Sequence, residues 1–378
     1  MAYQQDIRSG GKANTIKLIR CALWRWLIAM SLPLLLSACD SHEGADAMFI
    51  DYQQRVSNVL DIDAPTPQPP PNIPPFPERE ERIFAIAETR LGMLDVYALR
   101  ECRIISLVAE RNSQLGKVAA ASQHWLYELE LWRRLQRCWN GPAAESLDSE
   151  DRDRLQRLLQ GKTEQLPRVS WNALFGSSEW VGSFSRASRP LSPSEKASLG
   201  DDLAALSYLR HMVLNQYNPA WQPTSSDLEA HLQTLQQQPL TARLLRSLLL
   251  ATQRLDELSQ TLEARLADRP VCYKGHPNPR AENLYNVFLT YFIGDVQAYL
   301  AELDRQSRAW LEAIDSLLSA YNVSQPSVNA YRDAWLSLES PASPWQQFHA
   351  STQRHVTLWQ QIWRSCGMMP GEKDPPGA

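Results

Sequence analysis

The sequence predicts an all-α fold: a multi-helix bundle stapled by two disulfides and preceded by a proline-rich segment. Three observations carry that expectation. From residue 78 onward apolar residues recur with helical spacing almost throughout, the pattern of helices with one buried face. No run of β-branched residues alternates with period two for long enough to propose a sheet. Boundary residues stand where helices should start: Ser122, Asp148, Ser192 and Ser225 are plausible N-caps, and Pro239 suits a helix start.

The chain opens with an export signal, residues 1–38. Arg8, Lys12, Lys17, Arg20 and Arg25 precede or open an apolar run from Trp26 to Leu36, with Asp6 the one acid. Such a run matches a signal h-region and is too short to cross a bilayer, which takes about 20 apolar residues. It ends in Leu36-Ser37-Ala38-Cys39, which resembles the lipobox of bacterial lipoproteins. The resemblance implies that Cys39 is acylated and becomes the first residue of the mature chain. One acyl chain holds only marginally, at about 0.8 kcal/mol per buried CH₂, whereas three on one residue make a lasting anchor. Asp40, directly after it, resembles the signal that keeps enteric lipoproteins at the inner membrane. The expected place is therefore the bacterial cell envelope, lipid-anchored and facing the periplasm.

Removing the leader takes away five bases and one acid and leaves 33 Lys and Arg against 41 Asp and Glu, a net charge of −8. That balance argues against nucleic acid or an anionic lipid surface as a partner. Four cysteines remain for an oxidising compartment: Cys102, Cys138, Cys272 and Cys366. No C-x₂-C spacing occurs, and no metal or cofactor is expected.

Residues 39–63 read as a membrane-proximal helix, with Phe49, Tyr52, Val56 and Val59 at helical spacing over 43–60. Residues 64–77, APTPQPPPNIPPFP, cannot continue it and favour an extended conformation. The segment is either a stiff spacer or a strap along the domain surface, and both readings stand. A helical domain fills 78–366, with a possible subdivision near 170–225. Its predicted helices are 79–89, 92–115, 122–139, 148–160, 192–216, 225–237, 240–268, 279–320, 326–338 and 344–366. A disordered tail is expected over 367–378.

The first staple follows from a helical hairpin. Gly116 can end one helix and Ser122 can start the next, which leaves Cys102 and Cys138 nearly level on antiparallel limbs. Closing a loop of that length is worth about 3.8 kcal/mol in the chain-entropy picture. Elimination pairs Cys272 with Cys366.

Trp125, Trp132 and Trp139 share one helical stripe, and His355, Trp359 and Trp363 share another. Core packing is the reading preferred for both, over a sugar-stacking or partner face. The most distinctive polar run is Glu110-Arg111-Asn112-Ser113, followed by Leu115-Gly116. With the lipobox, the proline-rich stretch, Cys102, Cys138, Cys272 and the terminal HVTLWQQIWRSCG, it resembles a lipoprotein family of Gammaproteobacteria catalogued as a domain of unknown function. That resemblance implies no activity, cofactor or partner. Glu110, Arg111, Asn112 and Ser113 are either a polar helix end bonded to its neighbours or a partner site at the hairpin tip, where Arg111 would suit a carboxylate or phosphate.

Enzyme signatures are missing: no G-x-S-x-G, no Walker A, no G-x-G-x-x-G and no H-E-x-x-H. Glu145-Ser146 and Glu339-Ser340 share only a dipeptide with lytic transglycosylases. No catalytic residue is expected. The predicted role is a scaffold or adaptor that binds another envelope protein, with a peptidoglycan- or glycan-binding or -cleaving protein as the alternative. An exposed apolar patch over a filled core favours the first, and an aromatic groove around a buried Glu favours the second.

Overall fold

The computed structural model describes residues 44–87, 92–195, 199–273 and 275–369. Cys39 and the leader therefore lie outside the described residues. The fold is all-α: among the described residues the sole extended pairing is an isolated bridge between Tyr273 and His276. Eight longer helices organise it: α1 (Ala45–Leu60), α2 (Ala121–Trp139), α3 (Ser149–Phe175), α4 (Gly200–Leu214), α5 (Ser225–Gln237), α6 (Leu240–Asp268), α7 and α8 (Pro344–Cys366). Helix α7 runs from Pro279–Val287 through a π-helical stretch, Phe288–Val296, into Gln297–Ser319. No described helix is long and apolar enough to cross a membrane.

Helices α2 and α3 pack against each other as an antiparallel hairpin, and α6 pairs with α8. Helix α4 lies against α5 and α7, while α1 docks on α6 and α7. One large apolar cluster joins these elements, and residues 170–225 feed it throughout, from Trp171 to Val213. A second cluster covers the far ends of α2 and α3 with Val96, Leu99, Ile104, Leu107 and Val108. Both staples are formed: Cys102–Cys138, with Cα atoms 5.0 Å apart, closes the smaller cluster, and Cys272–Cys366, at 5.1 Å, ties the approach to α7 to the end of α8.

Several expected helices are cut differently. The first limb of the hairpin is not one helix over 92–115. It is Met93–Ala98, a 3₁₀ turn Arg100–Cys102, Ile105–Asn112 and Gln114–Lys117. Arg103 sits at φ 57°, a left-handed conformation that ends the 3₁₀ turn. The cysteine pairing was therefore right, although Cys102 lies on a turn and not on a helical limb. Helix 79–89 stops at Arg82, because Ile83 turns extended. Helix α3 continues past 160 to Phe175 in spite of Pro167. Proline has no N–H to give the carbonyl four residues back, and here the Tyr217 hydroxyl donates to that Thr163 oxygen at 2.8 Å. Helix α4 starts at Gly200, later than expected, and 326–338 divides into Pro326–Tyr331 and a π-helical turn Arg332–Leu336.

Asp148 caps α3 as expected, accepting from the Asp151 N–H at 2.8 Å. Ser122 is not a cap: α2 begins one residue earlier, and the Ser122 hydroxyl donates to Glu229 on α5 at 2.7 Å. Thr224, not Ser225, caps α5. Ser192 precedes α4 by eight residues and caps nothing there. At the other end, Gly367 takes φ 65° and the Met368 N–H returns to Trp363 O at 2.9 Å, so the tail's first residues finish α8.

The proline-rich segment is a strap. Ile73 is fully buried, and Phe76 stacks on Phe184 at 4.5 Å and meets the Tyr331 ring edge-to-face at 5.2 Å. Arg254 on α6 is buried between Asp46 of α1 at 2.6 Å and Glu257 at 2.8 Å, and it donates to Gln68 O at 2.9 Å. Glu257 in turn accepts from the Gln68 N–H at 2.9 Å.

Both tryptophan stripes are interior: Trp125, Trp132, Trp359 and Trp363 are buried, and Trp139 packs on the second cluster. His355 is completely enclosed, 2.8 Å from the Tyr52 hydroxyl through Nε2 and 3.0 Å from Ser259 Oγ through Nδ1. Burial lowers its pKa to about 3. The unfolded chain binds a proton near pH 6.5 that the native state refuses. Stability is therefore complete above about pH 6.5 and falls as the pH drops toward 3, by about 1.4 kcal/mol per unit. Denaturant unfolding at pH 6.5 and pH 5.0 should differ by about 2 kcal/mol, and His355→Gln should flatten that slope. An unchanged slope in the variant would remove His355 as its source.

Candidate functional site

The polar run 110–113 builds a tight turn. Ser113, at φ −63° and ψ 163°, ends Ile105–Asn112 and caps Gln114–Lys117, its Oγ accepting from the Gly116 N–H at 3.1 Å. Arg111 Nη1 donates to Gly116 O at 3.0 Å, and His124 Nε2 approaches the same oxygen at 3.2 Å. A Cβ on Gly116 would overlap the carbonyl oxygens of Glu110 and Arg111. Ser113 and Gly116 are thus structural, and Arg111 is partly so. Glu110 and Asn112 are exposed, and among the described residues the Asn112 side chain makes no hydrogen bond.

Arg111 and Asn112 open onto a cleft of about 630 Å³. One wall is the extended segment 83–87, where the predicted helix is missing. Asn172 of α3 holds it in both directions: the Phe84 N–H donates to Oδ1 at 2.7 Å and Nδ2 donates to Phe84 O at 2.8 Å. Trp171 Nε1 donates to Arg82 O at 2.7 Å, and Gln165 Nε2 to Ala87 O at 3.1 Å. These bonds satisfy the backbone that a helix would have paired internally. The opposite wall is the first half of α2, and α3 forms the floor.

The cleft is amphipathic. Ile86, Val108, Leu131 and Val169 supply apolar surface, and Arg79, Arg111, Lys117 and Lys162 supply charge. Lys162 is buried and paired with Glu128, its Nζ 3.0 and 2.9 Å from the two carboxylate oxygens. The Tyr127 hydroxyl beside them is pushed up to about 12 by burial and by Glu128, with Arg111 opposing. Sequence reading missed Tyr127, Glu128 and Lys162. Their signal is the register of α2 on α3, also seen where Trp132 Nε1 donates to Thr163 Oγ1 at 2.9 Å, and it is invisible until the hairpin is built.

The segment 93–118, which contributes Val108, Arg111, Asn112 and Lys117 to the cleft, also carries exposed apolar side chains. Met93, Leu94, Tyr97, Ile105, Leu115 and Val118 are exposed, the first two by 90% and 85%. Glu145 and Glu339 are also exposed, and neither lines this cleft. Among the described residues no group of three or more His, Cys, Asp or Glu is placed to hold a metal ion.

The fold and this lobe define a disulfide-stapled, all-α protein with a cleft beside its smaller core. The chain belongs to the family described as "Protein of unknown function (DUF3080)", whose model matches residues 49–370. No curated protein and no solved structure matches it.

Gly116→Ala should destabilise the protein by about 1–3 kcal/mol, the range for forcing atoms into a packed site. Asn112→Ala should stay within about 0.5 kcal/mol of the native protein. Chemical denaturation of the two variants checks both values, and equal stabilities would contradict the turn geometry.

Proposed function

We propose that the protein is an envelope lipoprotein anchored through Cys39, of the gammaproteobacterial kind its sequence resembles, and that it acts as a periplasm-facing scaffold or adaptor for another envelope protein. The observation that carries the reading is the clustering of exposed apolar side chains. Six of the eleven large apolar residues exposed among the described residues fall within 93–118, a segment that also contributes Val96, Leu99, Ile104, Leu107 and Val108 to the smaller core. Apolar surface concentrated in this way marks interaction sites more often than it occurs by chance. Residues 92–118 also carry four bases against three acids, in a mature chain of net charge −8. A partner offering apolar side chains and carboxylates complements that surface.

The glycan reading drew on the tryptophan stripes and the two Glu-Ser pairs; Trp125, Trp132, Trp359 and Trp363 are buried, Trp139 is partly buried, and Glu145 and Glu339 are exposed rather than buried in an aromatic groove. The anchor reading gains a geometric consequence. Four residues separate Cys39 from Gly44, so five Cα-to-Cα steps span about 18 Å at most. With the proline-rich segment folded onto the domain, the anchor would hold the body of the protein close to the bilayer, and the lobe would present its apolar surface to a neighbour at the membrane.

The test uses the lipidated protein in its own membrane, with a photoreactive residue at Leu115. Native protein should carry acyl label and give a discrete crosslinked product. Cys39→Ser should lose the label, and Met93→Glu with Leu94→Glu should lose the product without a change in melting temperature. An unmodified mature N-terminus elsewhere refutes the anchor, and a product indifferent to the double variant refutes the lobe as the docking surface.

A further inference from the structure

The cleft carries an imbalance of charge. Among the described residues Arg79, Arg111, Lys117 and Lys162 line it against the single carboxylate of Glu128, which is held by Lys162. Among the described residues Arg79, Arg111 and Lys117 have no carboxylate partner. Arg79 and Arg111 each spend one guanidinium nitrogen on a backbone carbonyl, Gly176 O and Gly116 O, both at 3.0 Å. A guanidinium has five N–H donors, so each retains others. Apolar side chains line the cleft beside these cations, and its volume of about 630 Å³ lies within the range of sites that enclose a compact ligand.

We infer that this cleft binds the C-terminal carboxylate of a peptide whose last side chain is apolar. The inference rests on the reading of residues 92–118 as a partner surface and names what the partner brings to it. Arg111 and Lys117 bind the carboxylate, and the partly exposed Ile83 and Ile86 receive the terminal side chain, backed by the buried Val108, Leu131 and Val169. Asn112 decides between a peptide and a fatty anion. Its exposed amide offers a donor and an acceptor that no described residue uses, and a peptide group matches both where an acyl chain matches neither. Capture of a chain terminus in this way is a recurrent mode of peptide recognition.

The experiment measures fluorescence anisotropy on the full chain with a fluorescein-labelled hexapeptide ending in a free leucine carboxylate. The same peptide as its C-terminal amide and unlabelled decanoate complete the set. The acid should bind saturably, and the amide about tenfold or more weaker, the loss expected for one charge-assisted hydrogen bond. Lys117→Gln and Arg111→Gln should each weaken the acid and leave the amide unchanged. The Lys117 ammonium makes no hydrogen bond or ion pair among the described residues, and its backbone bond to Ser113 O survives substitution, so its variant reports on binding even if Arg111→Gln disturbs the turn. Absence of binding, equal binding of acid and amide, or indifference to Lys117→Gln overturns the inference. Decanoate that binds as tightly as the acid peptide also overturns it and gives the cleft to an acyl anion. The partner reading fails separately: Met93→Glu with Leu94→Glu lies outside the cleft, so loss of crosslinking there with intact peptide binding, or the converse, tells the two apart.

Discussion

Arg254 is the constraint on which the N-terminal third depends. It is a buried cation, and burial alone would pull its pKa down; Asp46 and Glu257 outweigh that and raise it. A buried charge of this kind is tolerable when every partner is in place, and removing one partner typically costs about 3–5 kcal/mol. Three separate pieces of chain supply the partners: Asp46 from α1, Gln68 O from the proline-rich strap, and Glu257 from α6 itself. Gln53 of α1 adds a bond to Arg254 O at 2.8 Å. The cation therefore requires both α1 and the strap to lie on α6, and it fixes the direction in which the chain leaves the strap.

That direction decides the cleft. Once the strap has delivered Phe76 among Trp180, Phe184 and Tyr331, the chain has one short helix, Arg79–Arg82, before it meets α3. There Asn172 offers an acceptor and a donor to the two sides of Phe84, and Phe84 packs on Trp171 at 5.9 Å. The wall opposite α2 exists because these side-chain bonds hold extended the stretch 83–87, which the helical spacing of its apolar residues would place in a helix. Long-range polar contacts override local propensity, as they generally can.

The elements legible in the sequence are those whose pattern and boundaries are local. Helices α2, α5, α6 and α8 have long apolar stripes and punctuation at their ends, and were placed within a residue of their observed limits. The second half of α3 was not, because Gly161 and Pro167 argue for a stop, and the Tyr217 hydroxyl that satisfies the freed Thr163 carbonyl comes from 54 residues away. The fragmentation of 92–115 was hidden for a similar reason: nothing local announces a left-handed Arg103. The site was half legible. The run 110–113 stands out for its polarity, and Arg111 does face a cleft, but Ser113 and Gly116 stand out for backbone reasons. The residues that give the cleft its buried charge, Glu128 and Lys162, look like ordinary solvated helix positions until α2 and α3 are laid side by side.

The first disulfide explains why a partner surface can sit where it does. Among the described residues the smaller cluster has twelve buried members, too few to hold a lobe of short helices by themselves. It borrows rigidity from α2 and α3, which run on into the large core, and it is closed by Cys102–Cys138. Segments with few buried contacts open locally at low free-energy cost, and exposed Met93, Leu94, Leu115 and Val118 would make such openings sticky. A covalent link from the turn at Cys102 to the end of α2 bounds how far the lobe can open. The lobe can then carry apolar side chains on its outer face while the chain beneath them stays folded.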